Sequence, residues 1–428
     1  PGVELELAMH RRFLPEITLD EINELAGEWF TNHNRIVTVI APEKTGLVIP
    51  DEAKLAAVIK AAPGKELKPY VDTLASGALL DPLPQPGTIV KTATKDALGI
   101  TEWELSNGVK VVLKPTTFRE DEIVFRAFSP GGTSLAGDKE YIAANSATQV
   151  LGVGGLGQFN AVNLQKALTG KAANANVVIG ELEEGLAGGG SRKDIETIFQ
   201  LIYLRFTQPR ADTTAFSVLT TQVRTALANQ AAAPAFAFNQ ALTMILGQNH
   251  PRRRITTAAT IDEWNLDQSL AFYKDRFADA SDFTFVFVGS FDLPAIKPFV
   301  ERYLGGLPSI HRNETWKDIG AKLPTGVIEK KVEKGIEPMS RTVILFTGPF
   351  EYDPEHRTAL RAMTQILQTR LREIVREELG GTYSVTVGGG GQKTPNPEYQ
   401  VAVQFGSDPQ RTDDLVKHIF SEIETLRP

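Results

Sequence analysis

A strand–turn–helix pattern occurs three times in this chain, and this repetition limits the possible folds more than any other feature. The copies lie at residues 35–62, 283–308 and 399–426. Each begins with apolar residues typical of a strand, passes through a turn containing Gly, Pro or Asp, and continues with apolar residues at helical spacing. Long and unequal intervals between the copies favour repeated domains over a solenoid. Because 428 residues also exceed what one hydrophobic core usually organises, we expect several α/β domains.

The stretch between the first two copies contains a candidate domain boundary. Residues 64–96 are rich in proline and lack sustained periodicity, which predicts an extended, exposed linker. A new domain follows, and the Asn107-Gly108 pair between two strand-like runs predicts a two-residue β-hairpin. The apolar spacing predicts helices near residues 139–151, 160–169, 191–206, 213–247 and 262–278.

The C-terminal part repeats this order of strands and helices. Residues 326–350 predict strands, and a long helix follows with Asp353 as its N-cap, Pro354 as its first residue and Gly380-Gly381 at its end. A hairpin is predicted after the helix. The buried stripe of the helix is predicted to comprise Leu360, Met363, Leu367, Leu371, Val375 and Leu379.

Charge and composition exclude several classes of protein. A net charge of −7 argues against a nucleic-acid-binding protein, and the short basic run at 250–254 is typical of a structural or solvated turn. The absence of cysteine excludes disulfides, thiol nucleophiles and cysteine-ligated metals. The longest apolar runs have the length of a strand, so the sequence predicts no membrane span.

Gly152, Gly154 and Gly157 match the Gly-x-Gly-x-x-Gly pattern of loops that bind dinucleotides. Such a loop follows a strand, whereas the residues before Gly152 have helical spacing. Glu181 and Glu183 lie in the window expected for a ribose-binding acid, which is a loose match. The pattern therefore favours a tightly turning loop after a helix, and a nucleotide-dependent oxidoreductase remains an alternative that depends on these glycines alone.

Three long segments resemble the pitrilysin/insulinase family of zinc metallopeptidases. They are "LSNGVKVVLKPT…VFRAFSPGGTSLAG" within 105–137, "LGQNHPRRR…YLGGLP" at 246–308, and "QTRLREIVREELGGTYSV" at 368–385. The resemblance covers nearly all of the chain. It implies an α/β (α+β) fold of repeated domains, each a mostly antiparallel sheet covered on one face by helices.

The resemblance also implies a division of the chain into repeats. Residues 1–63 would end one repeat, 64–96 would be the linker, 97–320 would be an inactive peptidase-like repeat, and 321–428 would be a final, truncated repeat. Both ends of the sequence look like boundaries at which a longer chain was cut.

Active members of the family bind zinc through His-x-x-Glu-His on a helix and through a glutamate further along the chain. Residues 144–148 stand at that place here and read Ala-Asn-Ser-Ala-Thr. No histidine occurs between His33 and His250, and no acidic residue occurs between Asp212 and Asp262. We therefore expect no catalytic residue, no metal site and no cofactor in this chain, and we expect zinc in an N-terminal half that precedes it.

Histidines elsewhere do not restore a zinc site. Only His311 has the His-x-x-Glu spacing, with Glu314, and it lacks a second histidine. Isolated histidines are more often surface or core residues than metal ligands. The chain contains His10, His33, His250, His311, His356 and His418.

The resemblance implies the catalytically inactive half of a bacterial zinc metalloendopeptidase, forming one wall of the substrate chamber. The chain alone is expected to be inactive. Its implied partners are a peptide or unfolded-protein substrate and the zinc-bearing half of the same protein, and the implied compartment is the bacterial periplasm or cell envelope. The alternative is a structural or assembly subunit, similar to the non-peptidase core subunits of the same family.

Arg376 and Tyr383 are the candidate substrate-binding residues. The resemblance implies that this pair, seven residues apart, hydrogen-bonds the substrate backbone near the scissile bond. A guanidinium and a phenol are both donors to a peptide carbonyl. The alternative is structural: Arg376 would pair with Glu373 or with carbonyls at the helix end, and Tyr383 would pack beside Val385 and Val387.

Overall fold

The computed structural model describes residues 2–31, 33–41, 45–66, 68, 78–374 and 385–426. The chain divides into two compact units, residues 1–73 and 74–428. The smaller unit contains the helices α1 (Val3–Phe13), α2 (Leu19–Trp29) and α3 (Glu52–Ala61). Thr18 and Glu21 form a capping box at the start of α2, and Asp51 caps α3.

The strand predicted at the start of the first repeated pattern is not formed. Residues 35–40 form no β-strand pairing with any other described residue, and Ile36 and Ile40 are 89% and 96% exposed. An apolar pattern typical of a strand does not form one by itself, because a strand also needs a neighbouring strand that supplies its hydrogen bonds. The helical part of the same pattern is present as α3.

The larger unit contains a seven-stranded sheet. Its order is β1-β2-β3-β7-β4-β6-β5, in which β3 and β7 are parallel and the other neighbours are antiparallel. The strands are β1 (Ile89–Lys95), β2 (Ile100–Leu105), β3 (Lys110–Pro115), β4 (Ile123–Pro130), β5 (Ala173–Ile179), β6 (Glu183–Gly190) and β7 (Thr284–Gly289). The associated helices are α4 (Tyr141–Gly152), α5 (Ala161–Ala167), α6 (Ile195–Thr207), α7 (Thr213–Ala231), α8 (Pro234–Leu246), α9 (Leu266–Arg276) and α10 (Leu293–Phe299).

One face of this sheet is buried beneath helices and the other is open. Strand β4 alternates between buried and more exposed residues, as a strand with one covered face does. Phe199 of α6 stacks on Phe287 of β7 at 5.1 Å between ring centroids. Phe125 of β4 also stacks on the Phe287 ring, at 5.5 Å. These contacts anchor the helical layer in the main hydrophobic core. The predicted mixed α/β fold, with a mostly antiparallel sheet, is confirmed.

A three-stranded sheet in the same unit repeats part of the larger one. The sheet contains the strands β8 (Ser340–Pro349), β9 (Val385–Gln392) and β10 (Glu398–Ser407). The helices α11 (Pro354–Leu371) and α12 (Thr412–Thr425) accompany it. Its order β8-β10-β9 has the topology of β4-β6-β5, and the helices α11 and α12 take the chain positions of α4 and α6. The strand–helix–strand–strand–helix unit therefore occurs twice in the larger compact unit.

Several local details differ from the sequence predictions. The proline-rich segment ends in an ordered strand, because residues 89–95 form β1 and Leu80 is buried in the core. Strand β1 is an edge strand with mostly exposed residues, so it has no apolar alternation to reveal it. Leu105 N donates to Val109 O at 2.9 Å, so the hairpin loop has three residues, with Gly108 at φ +90°.

The C-terminal repeat also shows two differences. Residues 326–339 form no strand, so the predicted β structure is limited to β8. On α11, Asp353 caps the first turn as predicted by accepting from His356 N at 2.8 Å, but Met363 is exposed and Thr364 takes its place on the buried side. Val375 and Leu379 of the predicted stripe lie outside the described residues.

Candidate functional site

The resemblance to the pitrilysin/insulinase family aligns helix α4 with the helix that carries the zinc ligands in active members. In this chain the helix serves packing. Ala144 and Ala147 are buried, and the helix packs closely on α9. The Ser269 hydroxyl on α9 donates to Ala143 O at 2.8 Å, and the Ser146 hydroxyl donates to Ile142 O within α4 at 2.8 Å. Small side chains allow this close approach of two helices.

The residues of α4 do not fit a zinc ion. Catalytic zinc is held by histidine nitrogens and carboxylate oxygens with one position left open. Residues 144–148 offer two small hydrocarbon side chains, an exposed amide and two hydroxyls, one of which is already bonded within the helix. Helices α7 and α8, where the downstream ligand is expected, contain no acidic residue.

The glycine-rich loop follows α4 and packs against the connection between α6 and α7. Gly155 has φ +93°, and a Cβ added there would lie 2.2 Å from Phe159 O. A Cβ on Gly154 would lie 2.2 Å from Arg210 O, and Leu156 bridges to Pro209. The loop therefore follows a helix, as the sequence predicts, and its glycines permit close contact with protein backbone.

Glu181 and Glu183, the two candidate ribose-binding residues, each pair with an arginine. Glu181 accepts from Arg253 at 2.9 Å, and Glu183 pairs with Arg126. Both carboxylates therefore already have a partner within the protein. The acidic match in the sequence therefore has a structural explanation.

The basic run at 250–254 is a structural turn. The side chain of Arg252 is buried and donates to Ala136 O at 2.7 Å, to Thr133 O at 3.1 Å and to Asp138 Oδ1 at 2.8 Å. Arg254 pairs with Glu263 at 2.6 Å. These partners neutralise the cluster and tie it to the segment between β4 and α4.

A buried ionic network centred on Glu184 was not predicted from the sequence. Glu184 on β6 is 2% exposed and accepts from Gly132 N, which fixes the turn after β4. Arg276 lies 3.8 Å away but also pairs with Asp275 and, at 3.1 Å, with Glu314. Burial therefore raises the pKa of Glu184 to about 7, and the shared arginine compensates only in part. The signal missed in the sequence is a glutamate at a covered position of a strand.

One group of possible metal ligands occurs among the described residues, at the start of α11. It comprises Glu351, Asp353 and His356. Asp353 accepts from His356 N and lies 2.6 Å from His356 Nδ1, so the group forms a helix cap. Hydrogen bonding to Asp353 raises the pKa of His356, and the bond from His356 N lowers the pKa of Asp353.

Arg376 and Tyr383 lie outside the described residues, so their predicted substrate contacts stay predictions. The elements on either side are held together by Gln368 of α11. Its side chain donates to Val385 O at 2.9 Å and accepts from Val387 N, both on β9. Glu373, considered as a partner of Arg376, lies 3.9 Å from Arg370.

The open face of the larger sheet combines apolar and basic side chains. In the register of β4 and β7, Val124 pairs with Val288, Arg126 with Val286, and Phe128 with Thr284. Directly paired residues share one face of a sheet. We call Val124, Arg126, Phe128, Val286 and Val288 the open face.

Residues 263–427 match the family model described as the peptidase M16 inactive domain. This chain carries a peptidase M16 inactive domain. A zinc protease PQQL-like protein from Arabidopsis thaliana is 23% identical over 448 residues, covering 100% of this chain and 44% of the relative. The chain spans less than half the length of each curated relative it matches, at 44%, 35% and 38%.

Solved structures show the same fold around the M16 inactive domain. The periplasmic protease PqqL from Escherichia coli superposes with a TM-score of 0.73 and 21% identity, over 88% of this chain and 41% of that one. The ferredoxin protease FusC, in complex with Arabidopsis ferredoxin, has a TM-score of 0.70 and 18% identity, over 90% and 42% of the two chains. The resemblance to pitrilysin-family zinc metallopeptidases is confirmed. No helix within the described ranges has the length and apolar character needed to cross a membrane.

Proposed function

We propose that this chain is the non-catalytic half of a zinc metallopeptidase and binds peptide for a zinc-bearing half. The observation that carries the proposal is helix α4, which the resemblance aligns with the metal-binding helix and which presents buried alanines and no ligand at residues 144–148. Zinc would reside in the other half of the complete protein. The relatives named as zinc proteases are more than twice as long as the matched part, which leaves room for such a half.

The open face of the larger sheet is the proposed wall of the substrate chamber. Val124 and Phe128 are 46% and 37% exposed, although they lie at the centre of a seven-stranded sheet. Arg126 lies over the Phe128 ring at 5.7 Å and pairs with Glu183. A surface of this composition offers apolar contact to side chains of an extended peptide and polar contact to its backbone.

Arg376 and Tyr383 are proposed to hold the peptide backbone near the scissile bond. A permanently charged guanidinium and a phenol hydroxyl can both donate to one carbonyl and stabilise negative charge that develops on it. Gln368 supports this proposal because it fixes helix α11 to strand β9, the elements that flank the pair in the chain.

Two wider proposals depend on the relatives. Because the matched protein from Escherichia coli is described as a periplasmic protease, we place the complete protein in the periplasm or cell envelope. The domain limits at residues 63, 96 and 320 remain proposals as well. The exposed apolar run at 35–40 supports the assignment of residues 1–63 to a repeat whose other strands lie elsewhere in the complete protein.

Substrate kinetics of the complete protein test the chamber wall. Phe128→Ser removes an aromatic ring from the open face, and Phe118→Ser removes one from a loop where the ring is 91% exposed. Loss of a substrate contact of about 1–2 kcal/mol predicts a KM roughly tenfold higher for Phe128→Ser and an unchanged KM for the control. Equal KM values in both variants would remove the open face from the substrate site. A complete protein without peptidase activity would favour the structural-subunit alternative.

A further inference from the structure

A pocket beside the degenerate helix is lined by two arginines and no acidic residue. It has a volume of about 170 Å³ and lies between the end of α4, strand β5, and the segment that connects α6 to α7. The lining includes Thr148, Asn176, Arg205, Arg210 and Tyr273. A cavity of about 150 Å³ holds one benzene molecule, so this pocket has room for one small chemical group.

Arg205 is fixed in the wall of the pocket by its inner nitrogen. Its Nε donates to Ala175 O at 3.1 Å, and its backbone carbonyl accepts from the buried Tyr273 hydroxyl at 2.8 Å. No hydrogen bond or ion pair joins its two terminal nitrogens to the part of the chain that the structure describes. Desolvation by burial lowers the pKa of this guanidinium, as expected for a cation without a carboxylate partner.

Arg210 adds a second donor that is only partly satisfied. Its terminal nitrogen lies 3.4 Å from Asp212 Oδ2, a long contact. Its Nε is buried without a partner. Asp212 is also engaged as the N-cap of α7, where it accepts from Ala215 N at 3.0 Å. The charge of Arg210 is therefore only partly compensated by the protein.

We propose that this pocket is an anion site that binds one carboxylate group of a larger ligand. The fork of the Arg205 guanidinium matches the two oxygens of a carboxylate, and Arg210 adds a second positive charge to the lining. Thr148 and Asn176 provide neutral polar groups at the rim. The volume admits the charged end of a ligand and excludes a whole drug-sized molecule, which needs at least about 300 Å³.

The site is tested with a matched pair of small probes on the full 428-residue chain. N-acetylglycine carries a carboxylate and one peptide unit, and N-acetylglycinamide is its neutral counterpart. N-acetylaspartic acid α-amide keeps a carboxylate on the side chain only, which separates a chain terminus from an acidic residue as the source. Titrations followed by NMR at the Asn176 side-chain amide should show binding of at least one carboxylate probe, at least tenfold tighter than the neutral amide.

Substitutions then connect binding to the two arginines. Arg210→Gln should weaken binding of the carboxylate probe at least tenfold, and Arg205→Lys should do the same because lysine lacks the planar fork. Arg224→Gln removes an exposed arginine paired with Asp262 and should leave binding unchanged. If Arg205→Lys does not fold, Arg210→Gln decides. Equal binding of acid and amide, tight binding of inorganic phosphate alone, or full affinity in Arg210→Gln would each overturn the proposal.

Discussion

Helices α4 and α11 occupy the same place in two copies of one structural unit, yet their surfaces differ. Helix α4 buries its alanines against α9, and its Ala143 carbonyl accepts a hydrogen bond from the Ser269 hydroxyl. Helix α11 buries Leu367 and Leu371 against its sheet and leaves Met363 and most polar residues exposed. The difference shows that the helix of one copy serves packing through small, buried side chains. The other copy keeps an accessible helix next to the Arg376/Tyr383 motif.

The largest effect is expected from placing a carboxylate back into α4. Ala147 is fully buried, and the resemblance aligns it with the glutamate of active family members, so Ala147→Glu should lower the free energy of unfolding by about 3 kcal/mol or more. Met363→Glu on the exposed side of α11 should change it by less than about 0.5 kcal/mol. Urea denaturation measures both. Equal stability of the two variants would mean that α4 is not a packing helix.

Glu184 provides a pH-dependent test within the repeat that contains α4. Its pKa rises from 4.5 to about 7 on folding, so the folded state keeps a proton that the unfolded state loses between these values. Stability should therefore fall as pH rises from 4.5 to about 7, by roughly 3 kcal/mol at 1.36 kcal/mol per pKa unit, and then level off. Glu184→Gln should remove this fall.

Glu183→Gln is the matched control for that experiment, because Glu183 is the neighbouring residue and pairs with Arg126 near the surface. It should retain the decrease seen in the unmodified chain. Urea midpoints at pH 5 and pH 8 give the comparison. A Glu184→Gln variant with an undiminished pH dependence would show that the buried carboxyl group is not its source.

Arg376→Ala and Tyr383→Phe test the repeat that contains α11. In the complete protein, each should lower kcat/KM by about tenfold or more, the scale for losing a hydrogen bond made in the transition state, and should leave Tm nearly unchanged. Arg370→Ala, an exposed arginine of α11 paired with Glu422, is the control and should keep full activity. Wild-type kinetics in both test variants would assign Arg376 and Tyr383 an ordinary structural role.

The smallest effect is expected at the exposed start of α11. The pKa of His356 should lie above 6.5 because Asp353 bonds its ring, so the stability it contributes is present below pH 6.5 and is lost as pH rises through the folded pKa. Asp353→Asn keeps an N-cap but removes the charge, and should lower the pKa of His356 toward its ordinary value. NMR titration of the His356 ring measures this. An unshifted pKa in the unmodified chain would contradict the observed pairing.

Sequence reasoning recovered features that depend on local chemistry or on a long resemblance. The Asp353 cap and the helix before Gly152 are both visible in consecutive residues. The network of Glu184, Arg276 and Glu314 was missed because its members are 38 or more residues apart in the chain and meet only through the sheet topology. The pairing of β1 was missed because an edge strand carries little apolar alternation.

The zinc content of the purified chain, measured beside that of the complete protein, tests the central claim most directly. Elemental analysis after dialysis against a chelator should find no stoichiometric zinc in the 428-residue chain, because α4 offers no histidine or carboxylate ligand. The complete protein should hold one zinc in its other half and hydrolyse peptides. One zinc retained per 428-residue chain would contradict the account.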